Sequence, residues 1–246
     1  MQYKTSFSGL NYALGGGLFT GGVYLLAGPS NTFKTGLGIT MGLDITQLNQ
    51  DFDFSETKMV YFLRMEETVE QTELVIDRIT SGLRESTVPA VLKHIRKGIQ
   101  NNWAFSFSKT ICNKGIQELA EEIDQEEKQS GAKIKVLVLD HFFLLGQFGQ
   151  RFSLSELTAF CKERDIVAIV PTTLSNDDLS QPGVHKVFKD SVDPVAGIVI
   201  IKRQGGDRHE ALNLTVWSEQ TNKWDILRIP FKKDPEYGLV SDIQSE

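Results

Sequence analysis

The stretch VYLLAGPSNTFKTGLGITM, residues 23–41, decides how the rest of this chain is read. Residues 23–27 (VYLLA) are a short apolar run, the pattern of a strand buried on both faces, and Gly28 closes it. From Lys34 the period changes: Leu37, Met41, Leu43 and Ile45 supply apolar surface along a helix predicted over residues 34–47. Between strand and helix lies Gly28-Pro29-Ser30-Asn31-Thr32-Phe33-Lys34-Thr35, followed by Gly36. A phosphate-binding loop belongs at such a junction, because successive backbone N–H groups and a helix N-terminus hold phosphate oxygens. In that chemistry Lys34 reaches the β- and γ-phosphates of a nucleotide, and the Thr35 hydroxyl goes to Mg2+. The pattern G-x-x-x-x-G-K-[ST] is met except at Phe33, which stands where glycine is expected.

Outward from this loop, apolar runs alternate with helical periods. Residues 58–63 read as a strand, followed by a helix with Val69, Ile76, Ile79 and Leu83 on one face. Residues 88–99 read as another helix with Pro89 in its first turn, and 103–107 as a strand. Ile116, Leu119, Ala120 and Ile123 mark the next helix. Its acidic face, Glu121, Glu122, Glu126 and Glu127, is expected to be solvated. Residues 134–139 (IKVLVL) are the clearest buried strand and end at Asp140. Ser153 and Glu156 have the spacing of a capping box, starting a helix that turns Leu154, Leu157 and Cys161 inward. A strand over 166–170, a polar stretch over 175–194, a strand over 198–201 and a closing hairpin (210–217, 223–229) complete the pattern. This is an α/β chain: a mostly parallel sheet flanked by helices, with a C-terminal antiparallel hairpin. Ligands of such sheets bind at the carboxyl ends of the strands, which puts Gly28, Arg64 to Glu67, Asp140 and Thr172 to Asn176 on one rim.

With 246 residues, 40% of them hydrophobic and 24% charged, the chain is long enough for one α/β domain spanning 1–246. Residues 1–21 lead into it, and the polar end, 234–246, is expected to fray. The net charge of −6 excludes a basic footprint over the whole surface, so any contact with nucleic acid falls to local clusters. Two cysteines, Cys112 and Cys161, have no metal or redox spacing, which suits a reduced, cytoplasmic protein. No apolar run reaches the length of a membrane span, so no membrane partner is expected.

The segments Thr5-Ser6-Phe7-Ser8-Gly9-Leu10, Gly15-Gly16-Gly17-Leu18 and Gly21-Gly22 resemble the T-G-x-x-x-L-D…GGG…G approach to the ATPase core of DnaB-type replicative helicases and their RecA-like relatives. The stretch at 23–41 resembles the phosphate loop of UvsX-type phage recombinases, which also carry Phe before Lys. The resemblance runs from about Thr5 to Trp224. It implies a RecA-like core, with no primase-binding domain before it and no long extension after it.

What the resemblance implies for the site is specific. Residues 28–36 and Asn176 hold ATP, and Thr35 and Asp140 hold Mg2+, Asp140 standing at the Walker B position. Phe62 to Gln71 resembles the family's F-x-L-E-M-x-x-E-Q segment and places Glu66 on its catalytic glutamate, with neighbouring Glu67 as the alternative. Leu174-Ser175-Asn176 resembles the L-S-Q sensor, with Asn in place of Gln. His185, Lys186 and Lys189 fall where such proteins bind single-stranded DNA. Lys202-Arg203-Gln204 resembles the segment whose cations complete a neighbouring subunit's ATP site, with Arg203 as the finger and Lys202 assisting. The function implied is an oligomeric ATP-driven motor on single-stranded DNA, phage-encoded by the likeness of its loop, working in ring or filament with other replication or recombination proteins. Two alternatives stay open: a RecA/UvsX-like recombinase or annealing filament, and an ATP-dependent loader, regulator or assembly factor without a motor.

Overall fold

In a computed structural model of the chain the apolar runs become one sheet, and their alternation explains how it is buried. The structure describes residues 1–30, 32, 34–48, 58–64, 103–106, 115–140, 153–174, 192, 194–204 and 210–231. Strand β3 (Val23–Gly28) shows the principle. Val23, Leu25 and Ala27 belong to one core cluster, and Tyr24 and Leu26 to the other. Successive strand residues face opposite sides, so a strand apolar throughout must be covered on both.

One side is covered by helix α1 (Ser8–Ala13) and helix α2 (Lys34–Leu48), through Leu10, Ala13, Leu37, Ile39, Met41 and Ile45. The other is covered by α3 (Ile116–Ser130) and α4 (Leu154–Arg164), through Leu119, Ile123, Leu157, Phe160 and Cys161. Burying one such leucine contributes about 2 kcal/mol. The remaining strands are β4 (Lys58–Arg64), β5 (Trp103–Ser106), β6 (Lys133–Asp140), β7 (Val167–Thr173), β8 (Gly197–Gln204), β9 (Glu210–Ser218) and β10 (Lys223–Phe231). With β3 they form an eight-stranded sheet ordered β10-β9-β8-β3-β7-β6-β4-β5. Strands β8, β3, β7, β6, β4 and β5 run parallel; β9 is antiparallel to β8, and β10 to β9. Among the described residues no helix is long and apolar enough to cross a membrane.

Several boundaries differ from the sequence reading. Strand β7 continues through Pro171 and Thr172 to Thr173, and β8 through Lys202 and Arg203 to Gln204, because each keeps pairing with a neighbour beyond its apolar run. The leading segment is ordered as well. β1 (Gln2–Tyr3) pairs with β2 (Leu18–Phe19), with α1 between them. Glycines 15–17 make this return: all three have positive φ, and a Cβ on Gly17 would stand 2.2 Å from the Tyr3 carbonyl oxygen.

The acidic face of α3 is only partly solvated. Tyr61 donates its hydroxyl to Glu122 at 3.1 Å, and Glu127 accepts from Lys133 Nζ and from the Ile134 N–H, tying the end of the helix to β6. The capping box at α4 forms as its spacing suggests, Ser153 Oγ accepting from the Glu156 N–H while the Glu156 carboxylate accepts from the Ser153 N–H.

Candidate functional site

Strand order assembles the rim. Register places Gly28 beside Thr173 and Arg64 beside Asp140, with β7 between β3 and β6. Helix α2 leaves the loop at Lys34 and lies close on the sheet, since a Cβ on Gly38 would sit 3.5 Å from side-chain atoms of Leu26, Ile169 and Pro171. This close approach brings the first turn of α2 against the end of β6. There the Thr35 hydroxyl donates to Asp140 Oδ1 at 2.9 Å, joining groups 105 residues apart.

The loop closes on itself next to this pair. The Thr32 hydroxyl donates to the Pro29 carbonyl at 2.7 Å, and Lys34 Nζ donates to the same carbonyl at 2.5 Å and reaches Thr32 Oγ1 at 3.5 Å. Gly28 is needed where it stands: a Cβ there would meet the Ile201 carbonyl oxygen at 2.5 Å and Thr32 Oγ1 at 3.1 Å. The Leu174 N–H donates to the Gly28 carbonyl, which anchors the loop to the end of β7. Lys34, Thr32 and Asp140 are 4%, 5% and 1% exposed, so polar groups are held at the rim by one another rather than by bulk water. Burial pulls the Lys34 ammonium below its ordinary pKa, and the negative charge of Asp140 works against that shift.

Chemically, the corner offers a hydroxyl and a carboxylate side by side, a lysine in the turn before them, and a helix N-terminus. A hydroxyl with a carboxylate is an oxygen donor set suited to Mg2+, and the lysine and helix end are suited to phosphate. Among the described residues no group of three or more His, Cys, Asp or Glu side chains comes together. Asp140 and Thr35 are the carboxylate and hydroxyl that the fold brings together at this rim.

The structure brings Gly28, Pro29, Thr32, Lys34, Thr35 and Asp140 together, with Ser30 exposed at the loop and Gly36 half-buried in the first helical turn. Asn31, Phe33, Glu66, Glu67, Asn176, His185, Lys186 and Lys189 lie outside the described residues. Lys202 is exposed on β8, with β3 and β7 between it and the strand of Asp140; Arg203 pairs in register with Leu212.

Three features of the region were missed in the sequence. One is the Thr32 bridge within the loop. The second is a tie between the leading segment and α2: the N–H and hydroxyl of Ser6 both donate to Asp44 Oδ2 at 2.7 Å. Burial pushes the Asp44 carboxyl up to about 6 even though both bonds pull the other way. An aspartate inside the apolar period of α2 was the available signal. The third is the register of Lys202, Asn213 and Arg228 across β8, β9 and β10.

No protein family and no curated protein matches this chain by sequence. Solved structures match it by shape. One is an ATPase domain solved by itself, which superposes with a TM-score of 0.64 at 12% identity, covering 99% of this chain and 93% of that one. A DnaB-like replicative helicase, described with its interactions with primase, gives 0.66 at 12% identity and 97% coverage; this chain spans 62% of its length. The KaiC-like protein PH0186 from Pyrococcus horikoshii OT3 gives 0.59 at 15% identity, covering 96% of this chain and 97% of that one. The chain has the fold of RecA/DnaB-class P-loop ATPases.

Proposed function

We propose that this chain is a Mg2+-dependent ATPase that assembles with copies of itself and acts as a motor on single-stranded DNA, of the DnaB-like kind and phage-encoded. The observation that carries the reading is the Thr35–Asp140 hydrogen bond beside the buried Lys34, on the rim of a RecA-type sheet. That corner fits the cofactor pair. Thr35 and Asp140 are the oxygen donors for the metal, and Lys34 with the N–H groups of residues 28–36 is the cradle for the phosphates. Mg2+, when bound, neutralises charge on the transferred phosphate and its neighbour.

The chain's own residues divide the remaining work. Glu66 orients and polarises the attacking water, with Glu67 as its alternative. Asn176 senses the terminal phosphate, Lys202 and Arg203 supply cations to a neighbouring copy's site, and His185, Lys186 and Lys189 meet the DNA backbone. The DnaB-like helicase neighbour supports the motor, and the loop's likeness to UvsX-type recombinases supports the DNA partner and the phage origin.

The test is steady-state ATP turnover with and without single-stranded DNA. Mg2+-dependent turnover that rises with DNA is the expected result. The net charge of −6 and the departures at Phe33 and Asn176 favour a second reading, an ATP-dependent loader, regulator or assembly factor without a motor. Turnover indifferent to DNA, with no binding in a salt titration, would replace the first reading with the second.

A further inference from the structure

Strand β10 ends the sheet: it pairs with β9, and among the described residues no strand pairs with its outer side. Register tells which backbone groups that side presents. The Glu219 N–H donates to the Ala196 carbonyl at 3.0 Å, so at position 219 the chain bonds towards β8. Along an antiparallel ladder this direction alternates from residue to residue. Ser218, Val216 and Leu214 therefore bond towards β10, to Lys223, Asp225 and Leu227. Trp224, Ile226 and Arg228 direct their N–H and C=O groups the other way, to the outer side.

The same edge carries exposed apolar surface on both faces of the sheet. On the face away from α2, strands β8, β9 and β10 align in rows: Ile198, Trp217 and Trp224, then Ile200, Thr215 and Ile226, then Lys202, Asn213 and Arg228. Ile198, Ile200 and Trp217 lie in the core shared with α3 and α4, whereas Ile226 is 82% exposed. On the opposite face α1 lies over β9 and β10, with Gly9 beside Leu227, and Tyr12 of that helix is 81% exposed. Among the described residues the exposed large apolar side chains are Met1, Tyr12 and Ile226, so two of the three flank this edge. An exposed isoleucine alone is ordinary, but one whose own N–H and C=O also point outward is a template for another strand.

We propose that the outer edge of β10 pairs antiparallel with β10 of a second copy, about a twofold axis at Ile226, joining the two sheets into one. Such an axis is perpendicular to the sheet, so residues of the same face meet and the residue that meets itself sets the register. Centred on Ile226, the pairing packs that isoleucine on its twin and sets Arg228 across from Trp224 of the second copy, a favourable guanidinium–indole pair. Centring on Asp225 or on Arg228 would oppose two like charges, and centring on Leu227 would set Ile226 against Arg228. Pro230, the next outward position, has no N–H and ends the run. The helices fit the same axis. With α1 over β9 and β10 and strands about 4.8 Å apart, the two α1 helices come about 10 Å apart, an ordinary packing distance. The contact is isologous and closes at two chains, so it depends neither on the nucleotide reading nor on a ring or filament.

The experiment measures the mass of the full-length chain in solution, without nucleotide, by sedimentation velocity over a range of concentrations. The wild type is expected at twice the mass of one chain. Ile226→Lys and Ile226→Pro should bring it to the mass of one chain, raising the dissociation constant by at least about 100-fold. Proline suits the fold at this position, because the N–H it removes points away from β9, and the lysine variant carries the test should proline disturb the strand. Mild oxidation then reads the register. Ile226→Cys should cross-link two chains, since the twofold brings that position within about 5.5 Å of itself. Lys223→Cys, about 20 Å from its own twin in this register, should not, and neither should the wild type. A wild type that is monomeric at every concentration overturns the inference and leaves the edge to a strand of another protein. An assembly of any size that both Ile226 variants leave intact overturns it too, as does a cross-link through Lys223→Cys with none through Ile226→Cys.

Discussion

The phosphate corner and the β8–β10 face belong to one sheet, yet they treat charge in opposite ways. At the corner Lys34, Thr32 and Asp140 are withdrawn from water and bonded to neighbours, and the Lys34 ammonium is pulled below its ordinary pKa. On the far face Lys202 and Arg228 are exposed, as is Ile226 at 82%. A buried charge is costly unless its partners are in place, so packing dictates where each corner group sits. An exposed charge costs the fold little, so only strand register dictates where the far-face cations sit. Substitutions at the corner should therefore disturb both chemistry and folding, whereas those on the far face should leave folding undisturbed.

The largest expected effect is at Lys34. Lys34→Ala should lower ATP turnover by at least about 100-fold, since the phosphates lose a cation, and should shift the thermal midpoint upward, because a desolvated ammonium is gone. Unchanged turnover would break the comparison at its root. Asp140→Asn comes next. It keeps the size and an acceptor for the Thr35 hydroxyl but lacks the charge, so the Mg2+ concentration for half-maximal turnover should rise about tenfold. A Mg2+ titration that overlays the wild type would remove Asp140 from the metal site.

Asp44 sharpens the contrast through pH. Its folded pKa, about 6, lies above the ordinary 3.8, so the folded protein takes up the proton first as pH falls. Stability contributed by this group is full below pH 3.8 and is lost as pH rises through 6. From about pH 7 to about pH 4.5 the wild type should gain about 2 kcal/mol relative to Asp44→Asn, read from urea melts at the two values. A pH-independent difference would mean that Ser6 and Asp44 are already fully solvated. The smallest effect is at the α4 cap: Ser153→Ala should cost about 1 kcal/mol of stability and leave turnover untouched, since Ser153 and Glu156 bond within one helical turn.

How much was legible can be argued from particular elements. Residues 23–36 were readable as strand, loop and helix because the apolar period, Gly28 and the lysine–threonine pair are all local signals. Ser153 and Glu156 were readable for the same reason, the capping box being complete within four residues. The β1–β2 pair was not legible, since two-residue strands carry no period; neither was the tie of Glu127 to β6, which depends on where α3 ends relative to that strand. The ends of β7 and β8 were set short because Pro171 to Thr173 and Lys202 to Gln204 are polar or proline-bearing, and only pairing with neighbouring strands keeps them extended.

By itself the sequence determined the α/β class, the strand ending at Gly28, the helix starting at Lys34 and the strand that ends in Asp140, because hydrophobic period and backbone preference act over a few residues. Tertiary structure alone decided that Thr35 meets Asp140 across 105 residues, that Ser6 is held by Asp44, and that Lys202 shares a row with Arg228. Those meetings follow from strand order, register and the seating of α2 on the sheet, and these are settled by long-range packing that no local pattern of residues encodes.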